Sequence, residues 1–201
     1  MNRPDVEIID RQTVFKGYFR VDRYNLRYRL FGGGFSVPVT REVFERGNSA
    51  AILLYDPRAD CVLLVEQFRA GAFAAGIGPW LIECVAGIIE PGEAPEHVAR
   101  RESMEESGTA PGRVESIGKF IYSSGGCSEI CHLFAGEIDI AGAGGVHGLA
   151  EEHEDIKTHI VPADEAIGWL DSGKADNAAL LIALYWLARH RDRVRISWND
   201  K

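Results

Sequence analysis

The chain has 201 residues, 46% hydrophobic and 26% charged, with a formal net charge of −8 at pH 7; this is the profile of an ordinary globular protein long enough to bury one core and carry a modest extension. The negative balance repels polyanions and argues against nucleic-acid binding through a basic surface. No apolar run approaches the roughly 20 residues of a membrane-spanning helix, and the charged residues 1–10 lack the apolar centre of a secretory signal, so a cytoplasmic location is expected.

Residues 5–44 alternate and are rich in β-formers, with Thr13-Val14-Phe15, Tyr18-Phe19-Arg20-Val21 and Tyr24 to Phe31 running into Gly32-Gly33-Gly34. The pattern predicts strands joined by a glycine turn. A sheet of about 40 residues cannot cover both of its faces alone, so it is expected to pack on a partner chain or on the rest of the molecule. Ala50 to Tyr55 and Cys61 to Glu66 are apolar runs flanking Asp56-Pro57-Arg58-Ala59-Asp60, which reads as a hairpin. Leu81 to Val85 predicts another strand, ending at Ala86-Gly87, and a loop follows through Glu93. Pro95 suits a first helical turn and Gly108 the position just past a helix end, which frames a helix from Pro95 to Ser107. Ser116 to Tyr122 and Ile130 to Glu137 predict strands; Ile138 to His153 is a long glycine-rich connection, and loops of that length are commonly functional. Asp155 to Val161 resumes a strand, Ala163 to Ser172 predicts a helix, and Asn177 to His190 predicts a strongly apolar one. Cys61 and Cys84 lie in apolar runs and are expected in the core. Cys127, Cys131 and His132 lack the usual C-x2-C spacing and a second pair, so structural zinc is not expected.

The informative stretch runs from Gly87 to Thr109. On a helix, Glu102, Glu105 and Glu106 share a face and would repel one another. A solvated helix surface is the ordinary explanation of such a run, but the flanking Glu93, Gly87 and Gly108 are not needed for that. Magnesium takes one or two carboxylates and keeps waters and phosphate oxygens as its other ligands, so the cluster reads as a divalent-metal site.

Gly87-Ile88-Ile89-Glu90-Pro91-Gly92-Glu93, followed by Arg101-Glu102-Ser103-Met104-Glu105-Glu106-Ser107-Gly108-Thr109, resembles the Nudix box; Ser103 and Thr109 stand at two of its aliphatic positions. Beyond the box, Asp5 to Ile9, Arg41-Glu42, Phe44 to Gly47, Glu66-Gln67-Phe68-Arg69 and Gly148 to Asp155 are similar to the bacterial ADP-ribose pyrophosphatase branch of that family. The resemblance implies an α/β fold, an α/β/α sandwich over residues 49–201, preceded over residues 1–48 by a small antiparallel β-sheet used in homodimerisation and substrate contacts. It implies magnesium, as two or three ions that manganese can replace, held by Glu102, Glu106, Glu154 and the backbone carbonyl of Ala86, with Glu105 as a ligand or its support and Arg101 and Glu93 orienting the cluster. Glu152 would take the proton of the attacking water, with Glu151 or His153 next in line, while His147 and His153 match no required position. Arg69 would lie near phosphate or ribose, Arg41 and Glu42 would come from the small sheet of the other subunit, and Tyr18 would stack on adenine. The implied reaction converts ADP-ribose and water to AMP and ribose 5-phosphate. Ser124 stands in Ser123-Ser124-Gly125-Gly126 where ADP-ribose-specific members carry proline, which keeps GDP-mannose or a broader range of nucleoside diphosphate sugars as an alternative substrate. A non-catalytic module that senses ADP-ribose is the alternative of another class.

Overall fold

A computed structural model of the chain describes residues 5–199. These form two compact units: one comprises the chain through Asn48 together with Ile121–Ile130, the other Ser49–Phe120 together with the chain from Cys131 onward. Among the described residues no helix is long and apolar enough to cross a membrane.

The first unit is a three-stranded antiparallel sheet, β1 (Val6–Lys16), β2 (Arg20–Tyr28) and β3 (Val39–Glu45), in that order. Asp22, buried within this sheet, accepts hydrogen bonds from the Arg11 guanidinium at 2.5 Å and from the Thr13 hydroxyl at 2.7 Å. Charge pairing thus does here what apolar packing does elsewhere. Tyr18, expected within a strand, stands instead in the turn between β1 and β2, because the Gly17 N–H donates to the Phe19 carbonyl at 2.8 Å and reverses the chain. In the same unit, the Phe44 N–H donates to the Gly126 carbonyl and Ser128 hydrogen-bonds the Glu45 carboxylate, which ties the Ser123–Gly126 turn to β3.

The second unit is built on a mixed eight-stranded sheet. Its strands are β4 (Ser49–Asp56), β5 (Cys61–Phe68), β6 (Trp80–Glu83), β7 (Val85–Ile88), β8 (Val114–Ile121), β9 (Ile130–Glu137), β10 (Val146–His147) and β11 (Ile156–Pro162). The spine runs β10-β11-β5-β4-β9-β8, with β6 added to β5 and β7 to β4. Strand β4 is buried along its whole length. Its alternate residues enter two cores: Ala51, Leu53 and Tyr55 face helices α3 (Ala163–Ser172) and α4 (Ala178–Asn199), while Ala50, Ile52 and Leu54 face helix α2 (Pro95–Ser107). This is the period-2 pleat of a strand buried on both faces, and the result is a helix–sheet–helix sandwich.

Several elements depart from expectation for local reasons. The strand expected over Leu81 to Val85 is two strands that change partner at Cys84, β6 pairing with β5 and β7 with β4. A short helix, α1 (Ala70–Ala74), occupies a stretch that carries no periodic signal. The long connection after β9 contains β10 and a single 3-10 turn, Ala150–Glu152. Helix α4 runs nine residues past His190 because Val194 and Trp198 are buried and Arg191 pairs with Asp60 and Asp164. Cys61 is only partly buried, its thiol directed at the Ala59 carbonyl, whereas Cys84 and Cys131 lie in the core.

Candidate active site

Helix α2 carries the carboxylates. Its N-terminus opens with Pro95 at the first helical position, and its end is set by Gly108 in the left-handed region (φ 65°), whose N–H returns to the Met104 carbonyl at 3.0 Å. Ser103 and Ser107, buried polar residues on the inner face, satisfy their hydroxyls within the helix by donating to the Ala99 and Ser103 carbonyls at 2.7 and 2.6 Å. Serine at an otherwise aliphatic position therefore leaves no unpaired group in the core.

Glu106 is 2% exposed. One of its oxygens accepts the Ala86 N–H of β7 at 3.1 Å and the other the Gln67 amide of β5 at 3.3 Å. Burial pushes its carboxyl up to about 8, against the pull of the Ala86 N–H, Arg69 and Gln67, and with a further push from Glu102. Burial likewise raises Glu102 to about 7; Arg101 opposes this, while Glu105 and Glu154 add to it. The Glu102 carboxylate lies directly on the backbone of β7, where a Cβ placed on Gly87 would fall 1.8 Å from Glu102 Oε1. Gly87 is therefore required for space, not for an unusual φ, and the helix carboxylate reaches the strand only because no side chain intervenes.

Arg101 gathers the rim. Its guanidinium lies 2.9 Å from Glu102, 2.8 Å from Glu105 and 3.6 Å from Glu93. The expected Glu93 pair is thus the longest of three. Glu93 in turn accepts the Glu90 N–H at 3.0 Å, which shapes the loop before the helix. Arg69, at the end of β5, pairs with Glu83 of β6 at 2.6 Å. Burial opposes its charge, but Glu83, Glu106 and Glu154 more than offset this and hold the guanidinium above its ordinary value. Arg69 is thus a second cation facing the carboxylate cluster, on the side of Glu106 and Glu154.

The remaining acids come from the loop before β11. The Glu154 carboxylate accepts the Leu149 N–H at 3.1 Å, and Glu152 is exposed on the 3-10 turn. In the other unit, Tyr18 is 88% exposed, Arg41 donates to the Thr40 carbonyl, and Glu42 pairs with Arg23 at 2.9 Å. Gln67 and Glu83 were not singled out by sequence. Gln67 lies in a segment matched to the family, which was the one available signal; Glu83 had none.

Two carboxyls raised side by side, chiefly by burial, mark a place where ionisation needs compensation for lost solvation. Among the described residues no three His, Cys, Asp or Glu side chains converge to enclose an ion. Magnesium takes as few as one or two carboxylates and keeps waters and phosphate oxygens as its other ligands. Glu102 and Glu106 beside the β7 backbone fit such an ion.

The NUDIX domain profile matches residues 45–184. An ADP-ribose pyrophosphatase of Escherichia coli (strain K12) is 47% identical over 194 residues, covering 96% of this chain and 93% of that protein. One from Haemophilus influenzae is 44% identical, covering 98% and 93%. A GDP-mannose pyrophosphatase of an Enterobacter species is 33% identical, covering 90% and 94%. In fold, the chain is similar to a solved ADP compounds hydrolase, with a TM-score of 0.69 at 20% identity over 92% of this chain and 96% of the other. On the profile match and on identities above 40% across nearly the full length, the chain belongs to the Nudix family.

Proposed function

We propose that this Nudix hydrolase, which acts on pyrophosphate bonds, takes ADP-ribose and water to AMP and ribose 5-phosphate. The observation that carries the reading is the pair Glu102 and Glu106 on one face of α2, the first pressed onto the Gly87 backbone and the second buried and hydrogen-bonded to Gln67 and the Ala86 N–H. Its substrate assignment is supported by the relatives named ADP-ribose pyrophosphatase. Glu102, Glu106, Glu154 and the Ala86 carbonyl would hold magnesium or manganese. Bound there, the metal supplies charge neutralisation at the diphosphate and a more acidic water.

The chain's own residues do the rest. Arg101 holds Glu102 and Glu105 in register, and Gln67 with the Ala86 N–H fixes the rotamer of Glu106. Arg69 offers its guanidinium to a phosphate oxygen. Glu152 takes a proton from the water as its oxygen bonds to phosphorus and the bridging oxygen departs with the other phosphate. Tyr18, Arg41 and Glu42 are assigned to the nucleotide and are offered by the small sheet of a second copy, in a cytoplasmic homodimer. That sheet leaves Ile8, Ile9 and Phe15 more than half exposed, as an unpaired interface does.

Incubating the protein and magnesium separately with ADP-ribose and GDP-mannose, and resolving products by phosphorus NMR, tests the reading. AMP and ribose 5-phosphate are expected from the first; no cleavage of either compound contradicts it. GDP-mannose is kept as a second substrate on one observation, Ser124 in place of proline in the Ser123–Gly126 turn, a sequence difference accompanied by a 33% identical relative named for that activity. Sedimentation at assay concentration tests the dimer, and a fully active monomer would contradict it.

A further inference from the structure

We propose that His147 is the positioning residue of the acidic loop, its ring forming a wedge that fixes the base from which Glu152 and Glu154 are presented. The inference rests on the hydrolase reading above for what those two glutamates do, but the wedge itself is a property of this chain's packing. The ring lies against the C-terminal end of α2: a Cβ placed on Gly108 would fall 2.9 Å from His147 Cε1 and 3.3 Å from Nδ1. Its Nε2 is 3.2 Å from the Gly144 carbonyl oxygen. A carbonyl can only accept, so Nε2 carries the proton and donates. On the other side, a Cβ on Gly145 would stand 3.6 Å from the same nitrogen. Glycine at 108 thus leaves the room that the imidazole fills, and the ring forms one wall of a cleft of about 240 Å³ lined also by Ser107, Thr109 and Asp139.

The backbone on either side of the ring is pinned. Val146 and His147 pair with Lys157 and Ile156 of β11, and Thr158 donates to the Gly145 carbonyl through both its N–H (3.0 Å) and its hydroxyl (3.2 Å). The next residue, Gly148, donates its N–H to the Glu105 carbonyl of α2 at 3.2 Å. Beyond that point the chain closes on itself. The Glu152 and Glu154 N–H groups return to the Leu149 carbonyl at 3.0 and 3.2 Å, and the Glu154 carboxylate accepts the Leu149 N–H. The loop Leu149–Glu154 therefore has an exposed tip and a self-closed neck, and the residue before it, Gly148, is hydrogen-bonded to α2. His147 is the side chain next to that attachment. Removing it opens the contact with Gly108 and Gly144 and frees the Gly148 to Glu105 bond to break. The loop that carries Glu152 and Glu154 then loses its fixed base, although neither residue is itself altered.

The experiment is amide hydrogen exchange on the metal-free, ligand-free protein, followed by kinetics, for His147→Ala and for His147→Gln, which keeps a donor for the Gly144 carbonyl. In His147→Ala, the amides of Gly148, Glu152 and Glu154 are expected to exchange at least about tenfold faster, with those of the α2 interior unchanged, as for a local opening. Turnover of ADP-ribose should fall about 5- to 20-fold and the magnesium needed for half-maximal rate should rise by a similar factor, with KM moving less than about twofold. His147→Gln should recover most of both effects. Unchanged exchange at Gly148 in His147→Ala would overturn the proposal. So would a uniform acceleration through α2, which would mark the ring as general packing. If the wild-type enzyme cleaved no ADP-ribose but the loop amides still responded, the hydrolase reading would fail and the wedge would stand.

Discussion

Helix α2 carries the glutamates of the candidate site and the loop Leu149–Glu154 carries those proposed to join them, and the two hold their side chains in opposite ways. Glu106 is buried, with both oxygens hydrogen-bonded to strands β5 and β7, and Glu102 is pressed onto the Gly87 backbone. Glu152 is exposed, and the Glu154 carboxylate is hydrogen-bonded to the Leu149 N–H in the neck of its own loop. A rigid carboxylate pair suits electrostatic work, which depends on charge already being in place before reaction. A carboxylate on a lightly attached loop suits proton transfer to a water whose position is set only once substrate is bound. On the proposed roles, the comparison teaches that the helix would hold the charge and the loop would present the proton acceptor.

Substitutions on the two sides should break that contrast in different ways. Glu106→Gln removes a buried charge from the rigid side and should lower kcat for ADP-ribose by about 10⁴-fold, the rate equivalent of the several kcal/mol a catalytic metal contributes. Near-normal turnover at saturating magnesium would take Glu106 out of the site. Glu152→Gln acts on the loop side: it keeps shape but cannot accept a proton, so kcat should fall about 10²–10⁴-fold with little change in substrate affinity. A loss under about tenfold is too small for a general base, and Glu151 or His153 would then be tested for the role.

Gly87→Ala tests the close approach of helix to strand. Its Cβ would fall 1.8 Å from Glu102 Oε1, so the carboxylate must leave the strand. A loss in kcat of about 10²-fold is expected, comparable to misplacing a reacting group by an ångström, with the fold retained by circular dichroism. Full activity would mean that Glu102 does not work from this position.

The smallest expected effect is on stability. Glu102 at about 7 and Glu106 at about 8 both lie above the ordinary 4.5. The folded chain therefore holds more protons than the unfolded one across that window, and the metal-free protein loses stability as pH rises from 4.5 through 8. Magnesium requires the ionised carboxylates, so its stabilising effect should grow in the same direction. The rise in Tm on adding magnesium should be larger at about pH 8 than at about pH 6; equal increments would contradict the protonation scheme.

Local signals made helix α2 legible: Pro95 and Gly108 bracket it, and the observed span is Pro95–Ser107. The carboxylate cluster was legible as a group because residues three and four apart share a face. Which carboxylate is buried was not, since that depends on Gln67 and Ala86, 39 and 20 residues away in sequence. Sequence marked Gly87 only as a flanking glycine that a solvated helix face does not need; that it is missing volume beneath Glu102 depends on a neighbouring segment. The end of α4 was lost for a related reason. Arg191 looks like a solvated charge in sequence, but its partner Asp60 lies 131 residues earlier, and long-range ion pairs leave no periodic trace.

Manganese binding, read by the paramagnetic resonance of the free ion during titration of nucleotide-free protein near pH 8, tests the central claim most directly. The wild-type chain should bind manganese, and Glu106→Gln should weaken that binding by at least the 10–100-fold that loss of even an outer partner of a metal ligand costs. Identical binding curves for the two proteins would contradict the claim that the buried carboxylates of α2 form the cation site.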